Sequence, residues 1–181
     1  MKKILLVALL AGCGLMASDN VPYIGLSVGN AELKTSVGIG NFESKHDDTH
    51  YTGTVGQYIG NNGRVSISYT YVEPTGNVQN SDSVSLAFDF IAPIINDTVA
   101  LYAGPVVGYT RLEEEATGMK LDLSGMHYGA QAGAIIRIID NIEIDGGYRY
   151  LVENGEDTLL GVDVSADNLR MWYVGVNLRF N

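Results

Sequence analysis

Apolar residues alternate with small or polar ones through eight stretches of this chain, and the segments between them are alternately long and short. The last stretch carries the pattern best. Trp172, Val174, Val176, Leu178 and Phe180 share one face, and Tyr173, Gly175, Asn177 and Arg179 share the other. Side chains alternate across a strand, so such a segment has one apolar and one polar face. Repeated eight times with this rhythm of connections, the pattern predicts an all-β fold. The expected architecture is an eight-stranded antiparallel up-and-down transmembrane β-barrel, with short periplasmic turns at one rim and long extracellular loops at the other.

Strand one is expected over residues 22–30, with Ile24, Leu26 and Val28 on one face, followed by a long loop over 31–48. Strand two, 49–59, alternates poorly and ends at Gly60-Asn61-Asn62-Gly63, residues that tolerate positive φ and predict a tight hairpin. Strand three places Val65, Ile67, Tyr69 and Tyr71 outside, with Ser66, Ser68 and Thr70 inside. After a loop over 73–82, strand four turns Val84, Leu86, Phe88 and Phe90 outward and Ser83, Ser85, Ala87 and Asp89 inward. A short link over 92–97 leads to strand five, 99–110. There Pro105 lacks a ladder donor and predicts a bulge or local irregularity.

The sixth and seventh strands fix their own register. A three-residue loop Ile139-Asp140-Asn141, with Asn141 left-handed, sets Arg137 opposite Glu143, Ile135 opposite Asp145 and Gln131 opposite Arg149. Ile136 then meets Ile144 and Ala132 meets Tyr148 on the other face. A two-residue loop would set Ile138 against Glu143 and mix the faces, so it is rejected. The last long loop is expected over 151–167.

Two sets of residues follow from this arrangement. Inward-facing Asp89, Arg137, Glu143, Asp145, Arg149 and Arg179 form an interior charge network, because buried charges need partners. The alternative use of these residues is a narrow, gated path for water or ions. Tyr69, Tyr71, Tyr109, Tyr148 and Tyr150 fall late in outgoing strands, while Tyr51, Tyr128 and Trp172 open returning ones. All eight gather at the outer rim as an aromatic girdle.

Composition changes the picture little. The 22 glycines and 11 tyrosines suit close-packed strands with aromatic rims. No apolar run reaches the roughly 18 to 20 residues of a spanning helix, whereas a membrane strand needs only about 9 to 11. A mean hydropathy of +0.08 is compatible with that.

Lys2 and Lys3 precede an apolar run over 4–10, the layout of a secretory signal. Two exits compete. Leu10-Ala11-Gly12-Cys13 resembles the lipobox of bacterial lipoproteins. Ordinary cleavage after Ala17 or Ser18 is favoured, because Gly14, Leu15, Met16 and Ala17 extend the apolar region past Cys13. This divides the chain into a signal peptide, 1–18, and a barrel domain, 19–181, without a cysteine. Loss of Lys2 and Lys3 with the leader takes the formal charge from −10 to −12.

No basic stripe accompanies that charge, so nucleic acid is not an expected partner. Acid concentrates in the expected loops, at Glu113, Glu114, Glu115 and Asp122, and at Glu153, Glu156, Asp157 and Asp163. A solvated loop surface accounts for it, with no oxygen cage of recognisable spacing. His46-Asp47-Asp48-Thr49-His50 invites a metal reading, but in a loop entering a strand the spacing guarantees no site. His127 beside Ser124 lacks a nucleophile–base–orienter set. Gly38-Ile39-Gly40 is too short for a phosphate loop. No cofactor, metal or catalytic residue is expected.

The chain resembles the outer-membrane β-barrel family that includes OmpA-like transmembrane domains and opacity-type, porin-family surface proteins. The resemblance rests on Tyr128-Gly129-Ala130-Gln131-Ala132-Gly133, on Gly147-Tyr148-Arg149-Tyr150, and on Tyr173-Val174-Gly175-Val176-Asn177-Leu178-Arg179-Phe180. It implies the outer membrane of a Gram-negative bacterium. It also implies an assembly signal in Trp172, Val174, Val176, Leu178 and Phe180, read by the barrel-assembly machinery. Family members end in an aromatic residue, and here Asn181 follows Phe180. The peptidoglycan-binding domain of longer relatives is not expected.

The favoured function is a monomer in contact with outer-membrane lipids, with a structural or surface-interaction role through its acidic loops and an unidentified extracellular ligand. A diffusion channel is the alternative. A soluble or lipid-anchored lipocalin-like barrel is a third reading, disfavoured because its outer face would be polar.

Overall fold

The computed structural model describes residues 20–37, 42–73, 78–95, 98–116, 119–122, 124–153, 156–159 and 162–180. The expected signal peptide and Cys13 lie outside them. The strands are β1 (Val21–Val37), β2 (Phe42–Ile59), β3 (Gly63–Val72), β4 (Val78–Ile95) and β5 (Val99–Ala116). They continue with β6 (Met119–Asp122), β7 (Gly125–Ile139), β8 (Ile142–Glu153), β9 (Glu156–Leu159) and β10 (Val162–Arg179). Each long strand pairs antiparallel with the next, in the order β1-β2-β3-β4-β5-β7-β8-β10, and a β1–β10 pairing closes the ring. The short strands stand outside it: β6 pairs with β5, and β9 with β10. The result is a closed eight-stranded antiparallel barrel.

Closure satisfies the backbone groups that an edge would leave bare. Tyr23 lies opposite Arg179 and Asn30 opposite Trp172, and the Phe180 N–H donates to the Pro22 carbonyl at 2.9 Å. The two faces are inverted relative to a soluble protein. Leu26, Phe90 and Trp172 are 76%, 66% and 66% exposed, whereas Asp89, His127 and Glu143 have 0% exposure. An apolar outer wall around a polar filling is stable only with hydrocarbon outside it.

Several expectations need correction. The strands run well into the segments read as long loops: β1 continues to Val37, β2 starts at Phe42, β5 reaches Ala116 and β10 starts at Val162. Glu113, Glu114 and Glu115 therefore sit in β5, Asp122 in β6, Glu156 and Asp157 in β9, and Asp163 in β10. Past the apolar band both faces of a ribbon meet water, so ladder bonding continues without the hydrophobic alternation that reveals it.

Pro105 produces no register shift. The expected local irregularity is an interrupted ladder: Ala87 faces Val106, the pairing skips Phe88 and Asp89 opposite Pro105 and Gly104, and it resumes in the same register with Phe90 facing Ala103. Gly104 beside it permits close approach, since a Cβ there would overlap the Phe88 carbonyl oxygen. Gly60, at φ 58°, turns the β2–β3 hairpin, which closes with Ile59 opposite Gly63.

The β7–β8 register is as expected, with Arg137 opposite Glu143, Ile135 opposite Asp145 and Gln131 opposite Arg149. Its tip is different. Ile139 pairs with Ile142, leaving a two-residue turn at Asp140-Asn141, and the register shifts between Arg137 and Ile139. An extra residue at Ile138 thus reconciles a short turn with unmixed faces.

Candidate functional site

The polar filling is layered across the barrel. Its central layer is built on Arg64, which enters from the start of β3. The guanidinium meets Asp89 of β4 at 2.8 Å and Asp145 of β8 at 2.6 Å. Tyr102 of β5 donates to the other Asp145 oxygen at 2.7 Å, and Asn177 of β10 donates to Asp145 at 3.2 Å. Gln131 of β7 donates to Asp89 at 2.7 Å and accepts two bonds from Arg149, at 3.0 and 2.7 Å. Opposite walls are therefore tied through one arginine, and the Gln131 amide carries the connection on to Arg149.

The layer nearest the short turns is centred on Glu143. It accepts from Arg137 at 3.4 Å, from Arg179 at 3.2 Å and from the Tyr58 hydroxyl. The layer nearest the long connections is nearly uncharged. His127 bonds Ser85 at 2.9 Å and Thr110 at 2.8 Å, and Thr110 donates to Glu153 at 3.0 Å. His50 meets the Trp172 carbonyl at 3.3 Å. A cavity of about 40 Å³ lies between this layer and the central one, against the small side chains of Gly25, Ser27, Ser66 and Gly175. It has room for about three waters.

All six charged residues expected inside face inward, but they do not form one set of paired acids and bases. Arg149 has no carboxylate partner among the described residues, and the central cation is Arg64, which sequence reasoning missed. The signal was available. Ser66, Ser68 and Thr70 point inward, and one more step of two along the same strand reaches Arg64. The same step from Gly25 reaches Tyr23. Tyr58 lies in β2, the strand that alternates poorly, and Tyr102 in β5.

His127, read in the sequence beside Ser124 without a catalytic set, is bonded by Ser85 and Thr110. The side chains of His46 and Asp47 lie outside those described, and among the described residues no three His, Cys, Asp or Glu could hold a metal. Asp48 and His50 face the interior.

Seven of the eight rim aromatics are exposed on the outer wall, and Tyr148 is half-buried against Trp172 at 4.6 Å between ring centroids. Tyr51 faces Tyr71 across β2–β3, and Tyr69 and Tyr109 flank Val84 on either side. Tyr69, Tyr71, Tyr109, Tyr128, Tyr148 and Tyr150 lie in the strand halves nearest the long connections, and Tyr51 and Trp172 lie just past the midpoints of β2 and β10. Trp172, Val174, Val176 and Leu178 are exposed along one face of β10, and Phe180, just past its end, is exposed as well.

Apolar outside, ion-paired inside and closed on itself, this is a membrane-spanning barrel of the bacterial outer-membrane type. A family model described as outer membrane protein beta-barrel domain matches residues 5–180, and the chain belongs to that family. Neisserial surface protein A superposes with a TM-score of 0.68 at 18% identity, covering 88% of this chain and 97% of that one. Outer membrane protein H (OprH) of Pseudomonas aeruginosa gives 0.62 at 26% identity, covering 90% and 100%. Ail, the attachment invasion locus protein of Yersinia pestis, gives 0.54 at 20% identity, covering 87% and 98%. No curated protein matches the chain. The protein is located in the outer membrane of Gram-negative bacteria.

Proposed function

We propose that this barrel is a non-conducting, non-enzymatic monomer that displays acidic ribbons at the cell surface, where an extracellular ligand is bound. The observation that carries this reading is the central layer, in which Arg64 reaches across the lumen to bond acids on two strands. Scaffold-borne extensions then remain as the variable, partner-facing part. The attachment for which Ail, a barrel of the same fold, is named is compatible with it. A signal peptide over 1–18, and assembly directed by the β10 face ending at Phe180, complete the proposal.

The test is electrical. Purified protein in planar bilayers is expected to give no steady conductance. Stable unitary currents from the unaltered protein would sink this reading in favour of a diffusion channel.

The aromatic rim is proposed to mark the outer lipid–water interface, with the short turns in the periplasm. Trp172 is the chain's single tryptophan and is 66% exposed. Its fluorescence is expected to be quenched more by lipids brominated near the headgroup than by lipids brominated near the chain end. Stronger quenching by the deep label would place it at the bilayer centre instead and remove the girdle.

A further inference from the structure

At the short-turn rim the ladders run one position further than the strands. The last β3–β4 pair is Gly63 with Phe90, and beyond it the Ile91 N–H donates to the Asn62 carbonyl at 2.8 Å. The last β5–β7 pair is Val99 with Ile136, and beyond it Arg137 donates to the Thr98 carbonyl at 2.8 Å. The last β8–β10 pair is Ile142 with Leu178, and beyond it Arg179 donates to the Asn141 carbonyl at 2.8 Å. Each turn thus holds a strand that its own hairpin does not contain.

At two of these positions the turn residue is asparagine, and its side chain adds a second bond. Asn62 Nδ2 donates to the Ile91 carbonyl at 3.0 Å, and Asn141 Nδ2 to the Arg179 carbonyl at 3.2 Å. In an antiparallel hydrogen-bonded pair each residue gives one N–H and accepts one. Here the asparagine amide takes the place of the backbone N–H, so a turn residue completes a whole rung. Aspartate has the same reach but no donor, and glycine has neither.

The two rungs differ in what they hold. Ile91 lies inside β4, which runs on to Ile95, and it faces Tyr102 of β5 on its other side. Arg179 is the last residue of β10, and its other side is the closing seam. It faces Tyr23 of β1, and the next residue, Phe180, donates to the Pro22 carbonyl at 2.9 Å. Strand ends fray, and the β1–β10 contact joins the strands most distant in sequence, so it closes against the largest loop entropy.

We infer that Asn141 is a positioning residue for barrel closure, a clasp on the β7–β8 turn that holds the end of β10 by both backbone groups and presents it to β1. The Arg179 side chain is steered the same way, its guanidinium meeting Glu143 of β8 at 3.2 Å. The clasp rests on the reading that β10, ending at Phe180, directs assembly, and it names what holds that end in place. Asn141 is exposed, so water replaces the bond when the side chain is removed and equilibrium stability changes little. The effect falls on the rate of closure.

Full-length protein is diluted from urea into phosphatidylcholine vesicles, and closure is timed by the band shift of unboiled samples. Asn141→Gly keeps the turn's freedom of φ and adds no charge. It is expected to close several-fold more slowly, with an almost unchanged urea midpoint, and Asn141→Asp should be as slow. Asn62→Gly removes the same bond away from the seam and should close at the unaltered rate. In micelles, amide exchange of Phe180 should quicken several-fold in Asn141→Gly while that of Tyr173, further up β10, holds. A general loosening of the strand would move both.

Closure of Asn141→Gly at the unaltered rate overturns the clasp, and so does an equal delay in Asn62→Gly. Failure of Asn141→Gly to close at all, with Asn62→Gly closing normally, is the expected delay at its limit. Phe180→Ala separates the two readings. If that variant reaches the outer membrane like the unaltered protein while Asn141→Gly lags in vesicles, the assembly signal falls and the clasp stands.

Discussion

Val176→Arg is expected to abolish accumulation of the closed barrel in the outer membrane. Val176 lies on the outer face of β10, opposite Leu26 of β1 and Ile144 of β8, so its neighbours on both sides are apolar. It is more than half exposed, and that exposure is to hydrocarbon. An arginine at the midplane of such a wall costs about 2–4 kcal/mol, falling to about 0–1 near the interfaces. The position also belongs to the seam. β10 must pair with β1 before the ring closes, so the penalty falls on the step that removes the last free edge.

Membrane fractions compared by boiled and unboiled gel migration should show the variant as unshifted, unfolded protein. A matched Val→Arg change inside the lumen would not answer the question, since it alters charge pairing instead. A normally shifting outer-membrane band for Val176→Arg would mean that this face does not meet lipid. The wall would then have been read inside out.

How far the sequence reaches is set by where alternation has something to alternate between. In β3, β4 and β10 one face meets hydrocarbon and the other a polar lumen, and period two assigns every residue. Beyond the girdle, water bathes both faces. The ladders of β1 with β2 and of β5 with β6 therefore continue through residues whose hydropathy marks them as loop.

Charge pairing follows a different logic. The register argument at the β7–β8 hairpin correctly set Gln131 against Arg149, because neighbours in one ladder are local in sequence. Arg64 and Asp145 are 81 residues apart and meet only across the lumen. That contact depends on the barrel's diameter and on which strands end up facing each other, which no periodicity encodes. The same holds for His127, whose real partners Ser85 and Thr110 belong to other strands.

Arg64→Met is expected to be the most damaging interior change. Methionine keeps the unbranched length of the stem but removes the only cation that touches both Asp89 and Asp145 among the described residues. Arg64 is 3% exposed and Asp89 0%, so solvent cannot take over the role of the missing charge. Gln131 still donates to Asp89, and Tyr102 and Asn177 still donate to Asp145. Those bonds soften the loss without neutralising two carboxylates in one layer. Removing one member of a buried ion pair costs about 3–5 kcal/mol.

Urea unfolding in micelles, followed by Trp172 fluorescence and gel migration, should show a lower midpoint for Arg64→Met. Adding Asp89→Asn and Asp145→Asn should recover much of the loss, because no charge then remains to be balanced. If the triple variant were as unstable as the single one, the arginine would act through packing against Tyr102, whose ring its guanidinium covers at 4.4 Å. The single variant also tests the seal. With the bridge gone, the small-residue wall of Gly25, Ser27, Ser66 and Gly175 faces an unbraced lumen. Brief conductance events should then appear in bilayers where the unaltered barrel is silent.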